Sequence, residues 1–152
     1  KMAEGLPYFS LAGVSHSPDH TFLGYGVDDK GSEIYTLRIR DVASGNDLDD
    51  LIPETTGHGV WSSDSTWLFY VRQDENLRPK QVLRHKRGTS ASEDVLVHDE
   101  PDDGFFVSVD KTQDGRYIVI ACGDQQTSEI RLIDAANVET APILVAARET
   151  EH

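Results

Sequence analysis

The sequence predicts an all-β chain of about three four-stranded antiparallel blades, an open part of a β-propeller. Three observations predict it. Short runs rich in β-branched and aromatic residues alternate between two faces, and no 3.6-residue period is sustained. A hairpin pattern occurs three times. Each hairpin follows a polar turn ending in Asp (Ser17-Pro18-Asp19, Ser62-Ser63-Asp64 and Thr112-Gln113-Asp114), so the repeat intervals are 45 and 50 residues. Four-stranded units at this spacing signal a propeller, because one meander buries too little until it stacks on the next. The competing architecture is a β-sandwich whose spacing is accidental.

The first repeat covers approximately residues 8–55. Its strand candidates are Leu11–Ser15, Thr21–Val27, Glu33–Ile39 and Leu48–Ile52, with turn chemistry from Asp28 to Gly31. The second repeat covers approximately 56–100, with Gly59–Trp61, Thr66–Val71, Lys80–His85 and Asp94–His98. The third covers approximately 101–148, with Phe105–Val109, Arg116–Ala121, Ser128–Ile133 and Pro142–Ala146. In the turns, Asp and Ser side chains accept backbone N–H bonds, and Pro18 presets φ. Three blades cannot close a ring of about 4–8. The expectation is an open arc cut from a longer parent, all of 1–152 belonging to one propeller domain.

Charge excludes more than it assigns. With 27 Asp and Glu against 14 Lys and Arg, the net charge is −13. Such a surface repels phosphate backbones, so nucleic acid is not an expected partner. No apolar run reaches the ~18 residues of a spanning helix, so no membrane partner is expected. Cys122 is the single cysteine, which excludes an internal disulfide and thiolate clusters and fits a reducing compartment. The start, Lys1 to Gly5, carries no apolar signal-peptide core.

No constellation in the chain commands a chemistry. Gly13-Val14-Ser15-His16-Ser17 lacks the last Gly of Gly-x-Ser-x-Gly and precedes a turn and strand, so Ser15 reads as the start of a blade. His16 and His20 are four apart, but Pro18 between them breaks the helix that would align them on a metal. Asp110 to Gly115 fits the first half of a calcium loop, yet its twelfth position is Ala121 instead of Glu. Asp47, Asp49 and Asp50 read as a solvated loop. Gly24-x-Gly26 lies inside a strand, where glycine permits close backbone approach and not phosphate binding. Glu33 and Glu129 fall at matching points of two repeats, followed by Arg38 and Arg131, and periodicity explains them. Trp61, Trp67, Phe69, Tyr70, Phe105, Phe106 and Tyr117 read as filling between blades, with Phe105-Phe106 as a candidate binding surface. No catalytic, cofactor-binding or metal residue is assigned, no cofactor is expected, and the peptide-contacting residues are unknown.

Several stretches resemble the prolyl oligopeptidase family, and its oligopeptidase B (protease II) branch in particular. They are Gly13 to His20, Gly31 to Asp41, Leu68 to Arg72, Val82 to Gly88 followed by Asp94 to Val97, Gly104 to Val109 with Lys111-Thr112, and Thr127 to Asp134. The resemblance spans roughly residues 8–148. It implies a cytoplasmic serine oligopeptidase in which a seven-bladed propeller caps an α/β-hydrolase domain with a Ser-Asp-His triad. It also implies cleavage of short basic peptides after Arg or Lys, with the propeller filtering substrates by size. The hydrolase domain and its Gly-x-Ser-x-Gly are not in this sequence, so no catalytic residue carries over and the chain alone is expected to be inactive. Its partner would be the hydrolase domain of the same parent. The rival expectation is a non-catalytic, propeller-type protein-binding scaffold. Exposed strand edges lead us to expect the isolated chain to self-associate.

Overall fold

The computed structural model describes residues 10–28, 34–74, 78–100, 105–112, 115–123, 127–139 and 142–150. Eleven strands are described: β1 (Ser10–His16), β2 (Phe22–Asp28), β3 (Tyr35–Asp41), β4 (Asn46–Trp61), β5 (Trp67–Gln73), β6 (Pro79–Lys86), β7 (Val95–Asp99), β8 (Phe106–Lys111), β9 (Tyr117–Gly123), β10 (Thr127–Asp134) and β11 (Ile143–Thr150). Among the described residues the helical content is one 3-10 turn, Ala91–Glu93, and no helix is long and apolar enough to cross a membrane. The strands form a seven-stranded sheet in the order β1 to β7 and a four-stranded sheet in the order β11-β10-β9-β8. Every neighbouring pair is antiparallel.

The seven-stranded sheet is two four-stranded units sharing β4. The first part of this 16-residue strand pairs with β3, from Asp41↔Asn46 to Tyr35↔Thr55. Its second part pairs with β5, from Thr55↔Arg72 to Trp61↔Leu68. Between them the backbone bends through left-handed conformations at Glu54 (φ 62°) and Gly57 (φ 88°). Buried Thr55 bridges the bend: its Oγ1 donates to the Tyr35 carbonyl at 3.0 Å and accepts from the Gly57 N–H at 3.0 Å. Sequence patterning separates Leu48–Ile52 from Gly59–Trp61, with a repeat boundary between them. In the structure the strand runs on across that boundary, with an irregularity on either side of Thr55, because Thr55 pairs with both Tyr35 and Arg72.

The turn before the second strand of each unit is built the same way three times. The Ser17 N–H donates to Phe22 O at 2.8 Å, and the Phe22 N–H donates back to Ser17 Oγ at 3.0 Å. Ser62 and Trp67 repeat this at 2.9 and 3.0 Å, and Thr112 and Tyr117 at 3.0 and 3.2 Å. The fourth turn residue is left-handed in each case: His20 (φ 61°), Ser65 (φ 61°) and Gly115 (φ 73°). Asp19 and Asp64 accept from the Ser hydroxyl two residues earlier and from the N–H two residues later. These bonds keep the carboxylates ionised. The Thr21 N–H and Ser17 hydroxyl lower Asp19 to about 2, and Ser62 chiefly lowers Asp64. Gln113 and Asp114 lie outside the described residues.

Two apolar cores lie between units. One joins Leu37, Ile39 and Ile52 of the first unit to Trp61, Leu68, Tyr70 and Leu83 of the second. The other joins Phe69, Val71 and Val82 of the second to Val107, Val109, Ile118, Ile120 and Ile133 of the third. Each fully buried side chain of this size contributes about 1.5–3 kcal/mol. The stacking of units is thus the main stabilisation of the fold. Polar bonds fix its register: Trp61 Nε1 donates to Ser15 O at 2.9 Å, and the Ser63 N–H to Ala135 O at 2.8 Å.

Candidate functional site

The most strongly built polar constellation centres on His85 of β6. Its ring is fully buried. Nδ1 lies 2.6 Å from Asp94 Oδ1, and Nε2 lies 2.5 Å from Asp50 Oδ2. Tyr70 donates its hydroxyl to Asp94 Oδ2 at 2.5 Å, and the Gly88 N–H donates to Asp50 Oδ2 at 2.8 Å. A carboxylate at each ring nitrogen favours the doubly protonated imidazolium, because an ionised carboxylate only accepts. Burial alone would lower the His85 pKa, but the bonds to Asp94 and Asp50 outweigh it and hold the pKa above its ordinary value. Burial and Asp94 together push the Tyr70 hydroxyl well up. The strand pattern explains the placement: Asp50 sits on the shared strand β4, His85 on β6, and Asp94 just before β7.

This arrangement cannot act as a catalytic triad. A triad histidine needs one nitrogen facing a nucleophile, and here carboxylates occupy both. A groove of about 360 Å³ beside Asp50 is lined by Gly88, Thr89 and Ser90 among others. The Thr89 hydroxyl donates to Lys86 O at 2.7 Å, and Ser90 Oγ lies 2.9 Å from Ser92 Oγ. Among the described residues neither hydroxyl is hydrogen-bonded to a base. The network clamps the first unit to the second.

A second cluster sits on the first unit. Tyr25 donates to Asp47 Oδ2 at 2.7 Å and Arg40 Nε donates to Asp47 Oδ1 at 3.0 Å, with Arg38 Nη1 at 3.9 Å. Burial and Asp47 push the Tyr25 hydroxyl up to about 12. Asp47 itself is held below the usual carboxylate range: burial opposes this, but the bonds from Tyr25 and Arg40 prevail. The stretch Asp47 to Asp50 is therefore not a solvated loop. It is strand, with Asp47 and Asp50 each held by partners across the sheet and only Asp49 exposed.

The other nominated residues disperse. Ser15 lies at the end of β1, where its carbonyl receives Trp61. His16 and His20 are exposed with ring centroids 6.0 Å apart, and among the described residues no third ligand atom completes a set with them. In the calcium-like stretch, Asp110 Oδ1 accepts from the Lys111 N–H at 2.8 Å, Thr112 caps the turn, and Ala121 lies in β9. Gly26 bears out the close-approach reading: a Cβ there would lie 2.5 Å from Gly57 O. Glu33 lies outside the described residues, so its pairing with Glu129 has no geometry. Glu129 is buried and accepts from Arg131 Nη1 at 2.6 Å. Trp61, Phe69, Tyr70 and Phe105 are buried filling, whereas Phe106 is 56% exposed, so Phe105 and Phe106 do not form one surface.

Sequence reasoning missed the His85 network. The signal was present as His85 followed nine residues later by Asp94, but Asp50 lies 35 residues earlier, on another unit.

Comparison with known proteins agrees with this architecture. Residues 1–152 match the family profile described as the prolyl oligopeptidase N-terminal beta-propeller domain. The chain is 34% identical over 151 residues to dipeptidyl aminopeptidase BI of Pseudoxanthomonas mexicana, covering 99% of this chain and 21% of that protein. It is 33% identical over 136 residues to Protease 2 of Moraxella lacunata, covering 88% of this chain and 20% of that protein. Oligopeptidase B from Leishmania major superposes with a TM-score of 0.92 at 31% identity, over 98% of this chain and 21% of that one. The chain thus spans about a fifth of the length of these relatives. With strand order, shared cores and full-length profile in agreement, this chain belongs to the prolyl oligopeptidase family, as a stretch of its N-terminal β-propeller domain.

Proposed function

We propose that this chain serves a serine oligopeptidase as part of the propeller that filters substrates in front of an α/β-hydrolase domain. The observation that carries the reading is the match of all 152 residues to the family's N-terminal propeller, with a TM-score of 0.92 to an oligopeptidase B. The hydrolase domain supplies the nucleophile and base for an acyl-enzyme route. The propeller stretch contributes no reacting group and acts by steric exclusion. Cleavage after Arg or Lys is the specificity we assign, and the net charge of −13 favours the approach of basic peptides. A cytoplasmic location accompanies it.

The test uses the full-length natural protein. A serine-directed fluorophosphonate probe should label it once, and short arginyl or lysyl peptides should be cleaved far faster than a folded protein carrying the same site. Absence of labelling and of peptide turnover would overturn the proposal in favour of a binding scaffold. Equal cleavage of folded and short substrates would overturn the filtering role alone.

A further inference from the structure

We propose that His98, Glu100 and Cys122 form a binding site for a borderline-soft divalent cation of the zinc class, which staples the second four-stranded unit to the third. One ligand atom from each residue lies within 4.8 Å of the other two. His98 Nε2 is 3.2 Å from Cys122 Sγ and 4.0 Å from Glu100 Oε1. Tetrahedral zinc with Zn–S near 2.3 Å and Zn–N near 2.0–2.1 Å holds such atoms roughly 3.6 Å apart. Small side-chain rotations therefore bring the set onto one ion.

The fold supplies the placement. His98 lies in β7 and Glu100 just past its end, two residues on, so both point to one face. Cys122 lies in β9 of the other sheet, within the core shared by the two units. The donor set of imidazole, thiolate and carboxylate suits zinc and not calcium or magnesium, which take oxygen. Binding releases the thiol proton to solvent. The double positive charge then balances the Cys122 thiolate and the Glu100 carboxylate, both of which are buried. The His98 side chain is 13% exposed and gives the ion a way in. Such ligands carry no zinc-motif spacing in sequence, since 24 residues separate His98 from Cys122.

The test is titration of the full-length natural protein with Co²⁺, reduced and free of oxygen. The expected result is a thiolate-to-cobalt charge-transfer band that saturates at one equivalent attributable to this site. That equivalent should be absent in Cys122→Ser, and Zn²⁺ should displace the cobalt and raise the unfolding midpoint of the unsubstituted protein but not that of Cys122→Ser. In His98→Gln the affinity should fall by about tenfold or more. This second variant alters the solvent-facing end of the site and decides the matter should Cys122→Ser fail to fold. A spectrum without the band at excess Co²⁺, or a band unchanged in either variant, overturns the proposal and leaves a hydrogen-bonded trio.

Discussion

His85 shows how one side chain acquires a pH dependence from its surroundings. An unfolded histidine titrates near 6.5, whereas the folded value is raised by Asp94 and Asp50. Below the unfolded value the imidazolium exists in both states, and its stabilisation is fully present. As pH rises above the unfolded value the folded state binds more protons than the unfolded one, so stability declines until the folded pKa is passed and the contribution is lost. Urea midpoints should therefore fall on the alkaline side, and His85→Gln should flatten that slope. Truncation to His85→Ala strands two buried carboxylates and should cost about 3–5 kcal/mol. At the opposite end of the scale, Asp64 is held low by Ser62. Its stabilisation is present above the ordinary carboxylate range and disappears as pH falls through the lowered value. Ser62→Ala removes the bonds to Asp64 and to the Trp67 N–H. At about 0.5–1.5 kcal/mol per bond, it should cost roughly 1–3 kcal/mol in chemical denaturation.

At the scale of the element, strand β4 is the informative case. Alternation made both of its halves legible, because Ile52 and Trp61 are apolar positions facing cores. Their continuity was hidden. The repeat boundary falls between residues 55 and 56, and nothing local shows that Thr55 pairs with two neighbouring strands at once. The Ser-x-Asp turns were legible because their bonds run over five residues. The clamp around His85 was not, because it closes over 35 residues between units. The bend in β4 presses Gly57 against Gly26 of β2, where a methyl group would lie 2.6 Å from Gly57 Cα. Backbone cannot yield as a side-chain tip would. Gly26→Ala should therefore destabilise the chain by about 1–3 kcal/mol through overpacking. Denaturation curves of Gly26→Ala and Gly24→Ala side by side check this, since a Cβ at Gly24 meets Leu68 only at 3.4 Å and should be tolerated better.

At the scale of the whole molecule, what matters is where stacking stops. Each of the two inter-unit cores buries apolar faces from both sides. Among the described strands the sheets end on β1 and β7 in one case and on β8 and β11 in the other. Near the outer edges lie Leu96, 50% exposed, and Ile143 and Leu144, 67% and 49% exposed. Unpaired strand edges beside exposed apolar side chains are templates for pairing with another chain. The high negative charge opposes this at low ionic strength, and salt screens that repulsion, with a Debye length near 10 Å at 0.1 M. The isolated 152-residue chain should consequently self-associate, and more so as salt is raised. Sedimentation velocity over a concentration and salt series measures it. Ile143→Lys and Leu144→Glu together should shift the distribution towards monomer without lowering the unfolding midpoint, because both side chains already face solvent. A monomer at every concentration and salt level would mean that the exposed edges do not recruit a second copy.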